Sequence, residues 1–223
     1  GAETAYSVVL VSVGGERTIL SYKGQGAHWD EVEIPWDQFS AKWIYINSLG
    51  GSAQTLKDAY TWARRHGVLV ATNPDKRELH LGADLLAGYW KHADIVGLNQ
   101  EEVAGLTSVA SDDTDKLIRA FHALAPNICI MTNGSKGVTV CDGHTVYEAG
   151  IPTWEIVERT GAGDAFHSAF TVEFMKSGSI ENAIQLATAN STSVVQQFGA
   201  KAGILSTGDT GPWPLVEVKK RRM

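Results

Sequence analysis

Apolar positions along this chain follow two periods. From position 39 onward, short runs rich in β-branched and aromatic residues alternate with longer segments in which apolar residues recur every three or four positions. Residues 42–47, 68–72, 94–98 and 128–132 read as strands. Residues 52–66, 81–91 and 112–124 read as helices, the first closed by Gly67. Strands separated by helices of this length imply a parallel sheet covered on both faces. Two stretches break the alternation. Residues 7–13 and 17–22 are β-rich runs joined by Gly14-Gly15, and 137–141 and 145–149 flank Asp142-Gly143, so both carry hairpin signals. Residues 23–38 are polar, contain Gly and Trp, and read as loop. Helices over 162–176 and 180–198 close the pattern. The expected fold class is α/β: three αβα layers around a central, mostly parallel sheet, with a small antiparallel β appendage. Residues 1–38 form the hairpin and its connecting loop, and 39–223 a single main core.

In sheets of this kind, ligands sit outside the carboxyl ends of the strands. That makes Asn47-Ser48, Asn73, Asn99 and Thr132 candidates, because every one of these strand ends carries a side chain able to hydrogen-bond. The most distinctive stretch is Glu158-Arg159-Thr160-Gly161-Ala162-Gly163-Asp164. Its small residues make a tight turn before a helix whose apolar face carries Phe166, Ala169, Phe170 and Phe174. Unpaired amides and the helix dipole at such a turn suit an anion. A carboxylate beside a simple phosphate turn would repel the ligand. Asp164 makes sense where it must take a proton next to a phosphoryl group in transit.

Two weaker motifs lie upstream. Asn99 and Glu102 share a face of a starting helix. They read either as an N-cap with a first-turn acid or as an amide and a carboxylate holding hydrated Mg²⁺. Thr132-Asn133-Gly134-Ser135-Lys136-Gly137 reads either as a strand-to-hairpin turn or as a loop that meets phosphate oxygens, with Lys136 as a nearby point charge.

Composition narrows the classes. The chain has 223 residues, 43% hydrophobic and 20% charged, enough for one domain with a substantial core. A net charge of −6 provides no basic field for nucleic acid, and the Lys-Lys-Arg-Arg run at 219–222 reads as a solvated tail. Cys129 and Cys141 fall in expected strands without metal-ligand spacing, as reduced core thiols of a cytoplasmic protein would. No apolar run approaches the ~20 residues of a membrane span, and no signal peptide is visible. The seven histidines show no metal spacing, and His167 reads as a partly solvated helix residue. The seven Trp are scattered, which suits packing better than a nucleic-acid stacking platform.

The order of the motifs is specific. Asn-x-x-Glu, then Thr-x-Gly-x-x-Gly, then Gly-Ala-Gly-Asp, then Gly199-Ala200 after the last helix resembles the ribokinase-like (PfkB) carbohydrate kinase family. Gly15-Glu16-Arg17-Thr18 on the second hairpin strand and Asn73-Pro74 at a strand end agree. The resemblance runs from Thr4 to about Leu205, and Gly-Ala-Gly-Asp is its most specific part. It implies a ribokinase-like fold with a β lid and ATP-dependent phosphorylation of a hydroxyl on a sugar or sugar-like alcohol. Asp164 would be the general base, and Gly161, Ala162 and Gly163 the anion hole. Asn99 and Glu102 would organise Mg²⁺ through water. Asn73 and Thr132, Gly134, Ser135, Lys136 and Gly137 would contact ATP, with the last two helices flanking adenine and Gly199 near the base. The resemblance also implies a homodimer through the lid hairpin. Such chemistry is positioning plus electrostatics, without a covalent enzyme intermediate. There is no Walker lysine loop, which excludes the P-loop route.

Three departures stand out. Where many members have Asp-Thr, this chain has Glu158-Arg159. Glu158 would be the residue holding K⁺, and the longer acid with an added positive charge argues against a K⁺ requirement. Thr188 occupies the helical position of an adenine-side Asn, with Asn190 two residues on. The family's first sheet strands and its sugar-gripping acid and Gly-Gly pair have no counterpart from Gly1 onward, so the chain is expected to be a C-terminal portion of that fold. Ser48 and Gly50 are then the best remaining sugar-side contacts. Two alternatives stay open: a non-catalytic nucleotide-binding fragment, and a nucleoside kinase of the same family.

Overall fold

The computed structural model describes residues 5–12, 17–22, 33–206 and 208–223. The Gly14-Gly15 turn, the Gly15-Glu16 pair and most of the loop expected over 23–38 lie outside the described residues. Strands β1 (Tyr6–Val11) and β2 (Arg17–Tyr22) pair antiparallel, from Tyr6 opposite Tyr22 to Val11 opposite Arg17, as a sheet of their own.

A second sheet has seven strands in sequence order: β3 (Trp43–Ile46), β4 (Leu69–Thr72), β5 (Ile95–Asn99), β6 (Ile128–Thr132), β7 (Val138–Cys141), β8 (Thr145–Ala149) and β9 (Lys219–Arg222). β3 to β6 are parallel and β6 to β9 antiparallel. The crossovers carry α1 (Ala53–His66), then α2 (Lys76–Leu79) and α3 (Ala83–Trp90), then α4 (Gln100–Thr107) and α5 (Thr114–Leu124). α6 (Ala162–Ser177) and α7 (Ile180–Val195) follow β8.

Strand periodicity builds the three layers. On β6, Cys129 and Met131 face one core while Ile130 between them faces the other. The first core joins Leu56, Trp62, Leu86, Trp90 and Phe121 from α1, α3 and α5; the second joins Phe166, Phe170 and Ile184 from α6 and α7. Phe170 and Trp90 are fully buried, and each such side chain contributes ~1.5–3 kcal/mol. Cys129 and Cys141 are free, buried and directly opposite one another on β6 and β7.

Caps mark the helix ends as the sequence indicates. The Ser52 hydroxyl accepts the Thr55 amide at 3.0 Å, and Gly67 closes α1 at φ 65°. The helix expected over 81–91 is α3, shorter at both ends. Gly82, at φ 91°, stands outside the α-region, so α3 starts after it, and α2 before it is a separate turn capped by Asp75.

The basic run at 219–222 is a correction. Lys219–Arg222 is not a solvated tail but β9, hydrogen-bonded along residues 145–148. Its charges have partners: Lys220 pairs with Glu181, and Arg221 with Asp115 and Glu148. A strand needs main-chain partners and room for alternating side chains, and a run of one charge conceals both. Among the described residues, no helix is long and apolar enough to cross a membrane.

Candidate active site

The parallel strands end on one side of the sheet, and the Gly-Ala-Gly-Asp turn sits against those ends. α6 begins at Gly161, whose φ of 83° is left-handed. A Cβ there would fall 2.3 Å from the Ala200 carbonyl oxygen, so only glycine lets the turn approach the 199–200 loop. The same two loops are tied by Glu158, which is buried and accepts the Gly199 amide at 2.8 Å. Asp164 follows in the first helical turn, exposed, with Asn47 Nδ2 of the β3 end 3.4 Å from its Oδ1. Desolvation, and secondarily the charge of Asp164, push the Tyr45 phenol up, so it stays protonated at neutral pH.

A cavity of about 390 Å³ opens beside the α6 N-terminus. It brings together Asn99 and Thr132 from neighbouring strand ends, Gly134, Ser135 and Gly137 from the following loop, Ala162 and Gly163 from the turn, and Thr188 from α7. Asn99 and Thr132 stand opposite one another in the β5–β6 register. Thr188 is 3% exposed, and its Oγ1 has no partner among the described residues.

Other candidates are placed elsewhere. Asn73 Nδ2 donates to the Gly97 carbonyl at 2.9 Å, bracing β4 against β5. Asn190 is buried between the Ala165 carbonyl and the Leu205 amide, both at 2.9 Å. Lys136 lines a separate cleft with Glu148 and Lys219. Gly199 does not line the cavity; its amide serves Glu158.

Asn99 and Glu102 form a reciprocal capping box at the start of α4. The Asn99 side chain accepts the Glu102 amide, and Glu102 Oε2 accepts the Asn99 amide, both at 2.8 Å. Burial pushes the Glu102 carboxyl up, opposed by that amide and by the charge of Lys76. The box uses one atom of each side chain and leaves the Glu102 Oε1 outside it. Among the described residues, no three His, Cys, Asp or Glu gather as a metal site. An ion here would keep most of its water, which fits Mg²⁺.

The Ser48–Gly51 loop is held from below. Ser48 Oγ donates to Asp75 at 2.9 Å, and Glu78 Oε1 accepts the amides of Leu49 and Gly51 at 2.6 and 2.8 Å. Burial, then the neighbouring Asp75, raises the Glu78 carboxyl. Asp75 is drawn well below the carboxylate range: burial opposes this, but hydrogen bonds with Glu78, the Arg77 amide and Ser48, and the Arg77 charge, outweigh it.

Sequence reasoning assigned neither Trp154 nor Arg159 to this site, yet both line the cavity. Trp154 is anchored once the Gln196 amide is turned so that its oxygen faces the two indoles, where it accepts from Trp154 Nε1 at 2.8 Å and from Trp213 Nε1 at 3.1 Å. Only tertiary packing brings 154, 196 and 213 together. His167 is a correction: it is buried, not partly solvated, because its ring fills the space where a Cβ on Gly97 would lie. Glycine in a strand signals such close approach.

A family model described as pfkB family carbohydrate kinase matches residues 1–207. The chain is 28% identical over 194 residues to probable fructokinase-5 of Arabidopsis thaliana, covering 80% of this chain and 59% of that protein. It is 27% identical over 172 residues to cytidine kinase of Thermococcus kodakarensis, covering 76% and 60%. The chain therefore spans about three fifths of the length of these relatives. Among solved structures, ribokinase from Thermotoga maritima aligns with a TM-score of 0.74 at 21% identity, covering 92% of this chain and 67% of that one. At that identity the likeness carries the fold.

Proposed function

The chain belongs to the pfkB family of carbohydrate kinases, and from that premise we propose that it transfers the γ-phosphoryl group of ATP to a hydroxyl of a sugar or sugar-like alcohol. One observation carries the proposal. An exposed carboxylate, a helix N-terminus and a cavity of small-molecule size meet within four consecutive residues, Gly161 to Asp164. Asp164 takes the acceptor's proton, and Asn47 orients it from the β3 end. The amides of Gly161, Ala162 and Gly163 stabilise charge on the moving phosphoryl group. Thr132, Gly134, Ser135 and Gly137 border the phosphates, and Thr188 Oγ1 offers its unused bonding capacity to the base. Asn73, Lys136, Asn190 and Gly199 act from outside the cavity, as braces or as a distant charge. Asn99 and Glu102 would hold Mg²⁺ through water; when bound, the ion neutralises phosphate charge.

The acceptor would lie on the Asn47 side of Asp164, near Ser48 and Gly50. Relatives named for a sugar and for a nucleoside match equally well, which favours a nucleoside as the second acceptor class. The β1–β2 sheet leaves Tyr6, Leu10 and Leu20 exposed, which supports pairing of two copies through it; sedimentation of a Leu20→Asp variant as the same dimer would exclude that surface. Two free buried thiols accord with a reducing compartment such as the cytoplasm.

The test is ATP-dependent phosphorylation of a panel of sugars and nucleosides, by this chain and by the full reading frame that encodes it. Turnover of one acceptor class supports the proposal and names the class. Nucleotide binding with no turnover in either form supports a non-catalytic nucleotide-binding protein instead.

A further inference from the structure

Among the described residues that line the 390 Å³ cavity, Arg159 is the one with a charged side chain. The rest of the wall is apolar or neutral. A nucleoside triphosphate remains a polyanion even with Mg²⁺ bound, and enclosing such charge without a counter-charge is costly. The α6 N-terminus offsets only about half an elementary charge. Lys136, the cation that sequence spacing nominates, lines the neighbouring cleft with Glu148 and Glu217. Arg159 stands two residues before Gly161 and lines the cavity together with Ala162 and Gly163. Thr188, buried and with an unpartnered Oγ1, marks the cavity independently as built for a ligand.

We infer that Arg159 is a catalytic residue of this site, its guanidinium binding the terminal phosphates of the nucleoside triphosphate held in the cavity. The inference rests on the kinase reading. A guanidinium presents several donors in one plane and matches phosphate oxygens in pairs, which a lysine ammonium does not. Arg159 neither gives nor takes a proton. The bond from the γ-phosphorus to the β–γ bridging oxygen breaks, and the electron pair leaves with ADP. A new bond forms from phosphorus to the acceptor oxygen, whose proton passes to Asp164. Arg159 compensates charge on the equatorial and bridging oxygens as that occurs.

The experiment is calorimetric titration of ATP, ADP and adenosine into the wild-type chain, Arg159→Gln and Arg159→Lys. Because Arg159 is exposed, both variants are expected to fold, and a melting curve checks it. Arg159→Gln should weaken ATP by ~10- to 100-fold, the scale of charged hydrogen bonds, and leave adenosine unchanged. Arg159→Lys should recover part of the loss. Equal weakening of ATP and adenosine would mean that Arg159 holds the loop rather than the phosphates, and overturns the inference. Unchanged ATP affinity overturns it as well, while leaving the kinase reading intact. A wild-type chain that binds none of the three overturns both.

Discussion

Asn47 Nδ2 at the end of β3 lies 3.4 Å from the Asp164 Oδ1 in the first turn of α6. The contact is long and neutral-to-anionic, so it orients the carboxylate more than it stabilises the fold. Residues 117 positions apart meet because a parallel sheet gathers its strand ends where the later helix begins. Asn47→Ala should lower turnover by roughly fivefold, the scale of about 1 kcal/mol for one hydrogen bond, and leave the KM for ATP unchanged. Steady-state kinetics with ATP varied at saturating acceptor checks this. A loss confined to the KM for ATP would remove Asn47 from the base.

Glu158 is 5% exposed and spends its Oε2 on the Gly199 amide. A carboxylate engaged in joining two loops, with Arg159 next to it in sequence, has little reason to recruit a monovalent ion. Exchanging K⁺ for tetramethylammonium at constant ionic strength should therefore leave the phosphorylation rate unchanged. A strong dependence on K⁺ would contradict that role for Glu158.

His167 is buried, its Nδ1 has no partner among the described residues, and desolvation lowers its pKa from 6.5 to about 4. The folded imidazole thus titrates below the unfolded one. Its stability contribution is whole above pH 6.5 and is lost as pH falls toward 4. The loss should reach ~3 kcal/mol, at 1.36 kcal/mol per unit. Urea unfolding between pH 7 and 4 should show this slope, and His167→Phe should flatten it. Gly97→Ala, which would bring a Cβ within 2.3 Å of the ring, should destabilise by ~1–3 kcal/mol and be partly rescued by His167→Ala. An unchanged slope in His167→Phe would assign the acid sensitivity to other groups.

Much of the fold was legible because local signals agreed with it. β2, β6 and β8 carry the bounds that apolar runs and turn residues mark, and Ser52 and Gly67 cap α1 as their chemistry demands. β9 was not legible, since four consecutive cations look solvated until Asp115, Glu148 and Glu181 are brought beside them. In the candidate site, the Gly-Ala-Gly-Asp turn was readable as a helix start, because small residues before the Phe166, Ala169, Phe170 and Phe174 face leave room for the left-handed Gly161. Arg159 lines the cavity while Lys136 lines the cleft next to it, because spacing says which residues share a loop, not which wall of it faces the cavity. His167 was misjudged because burial of a helix face depends on what lies beneath it, and Gly97 is far away in sequence.

The central claim is that Asp164 is the base of a phosphoryl transfer. The most direct measurement compares single-turnover phosphorylation and ATP affinity in wild type and Asp164→Asn, using the acceptor that the panel identifies. Turnover should fall by roughly two to four orders of magnitude, while the Kd for ATP stays within the wild-type range. A variant that transfers phosphate at close to the wild-type rate would contradict the claim.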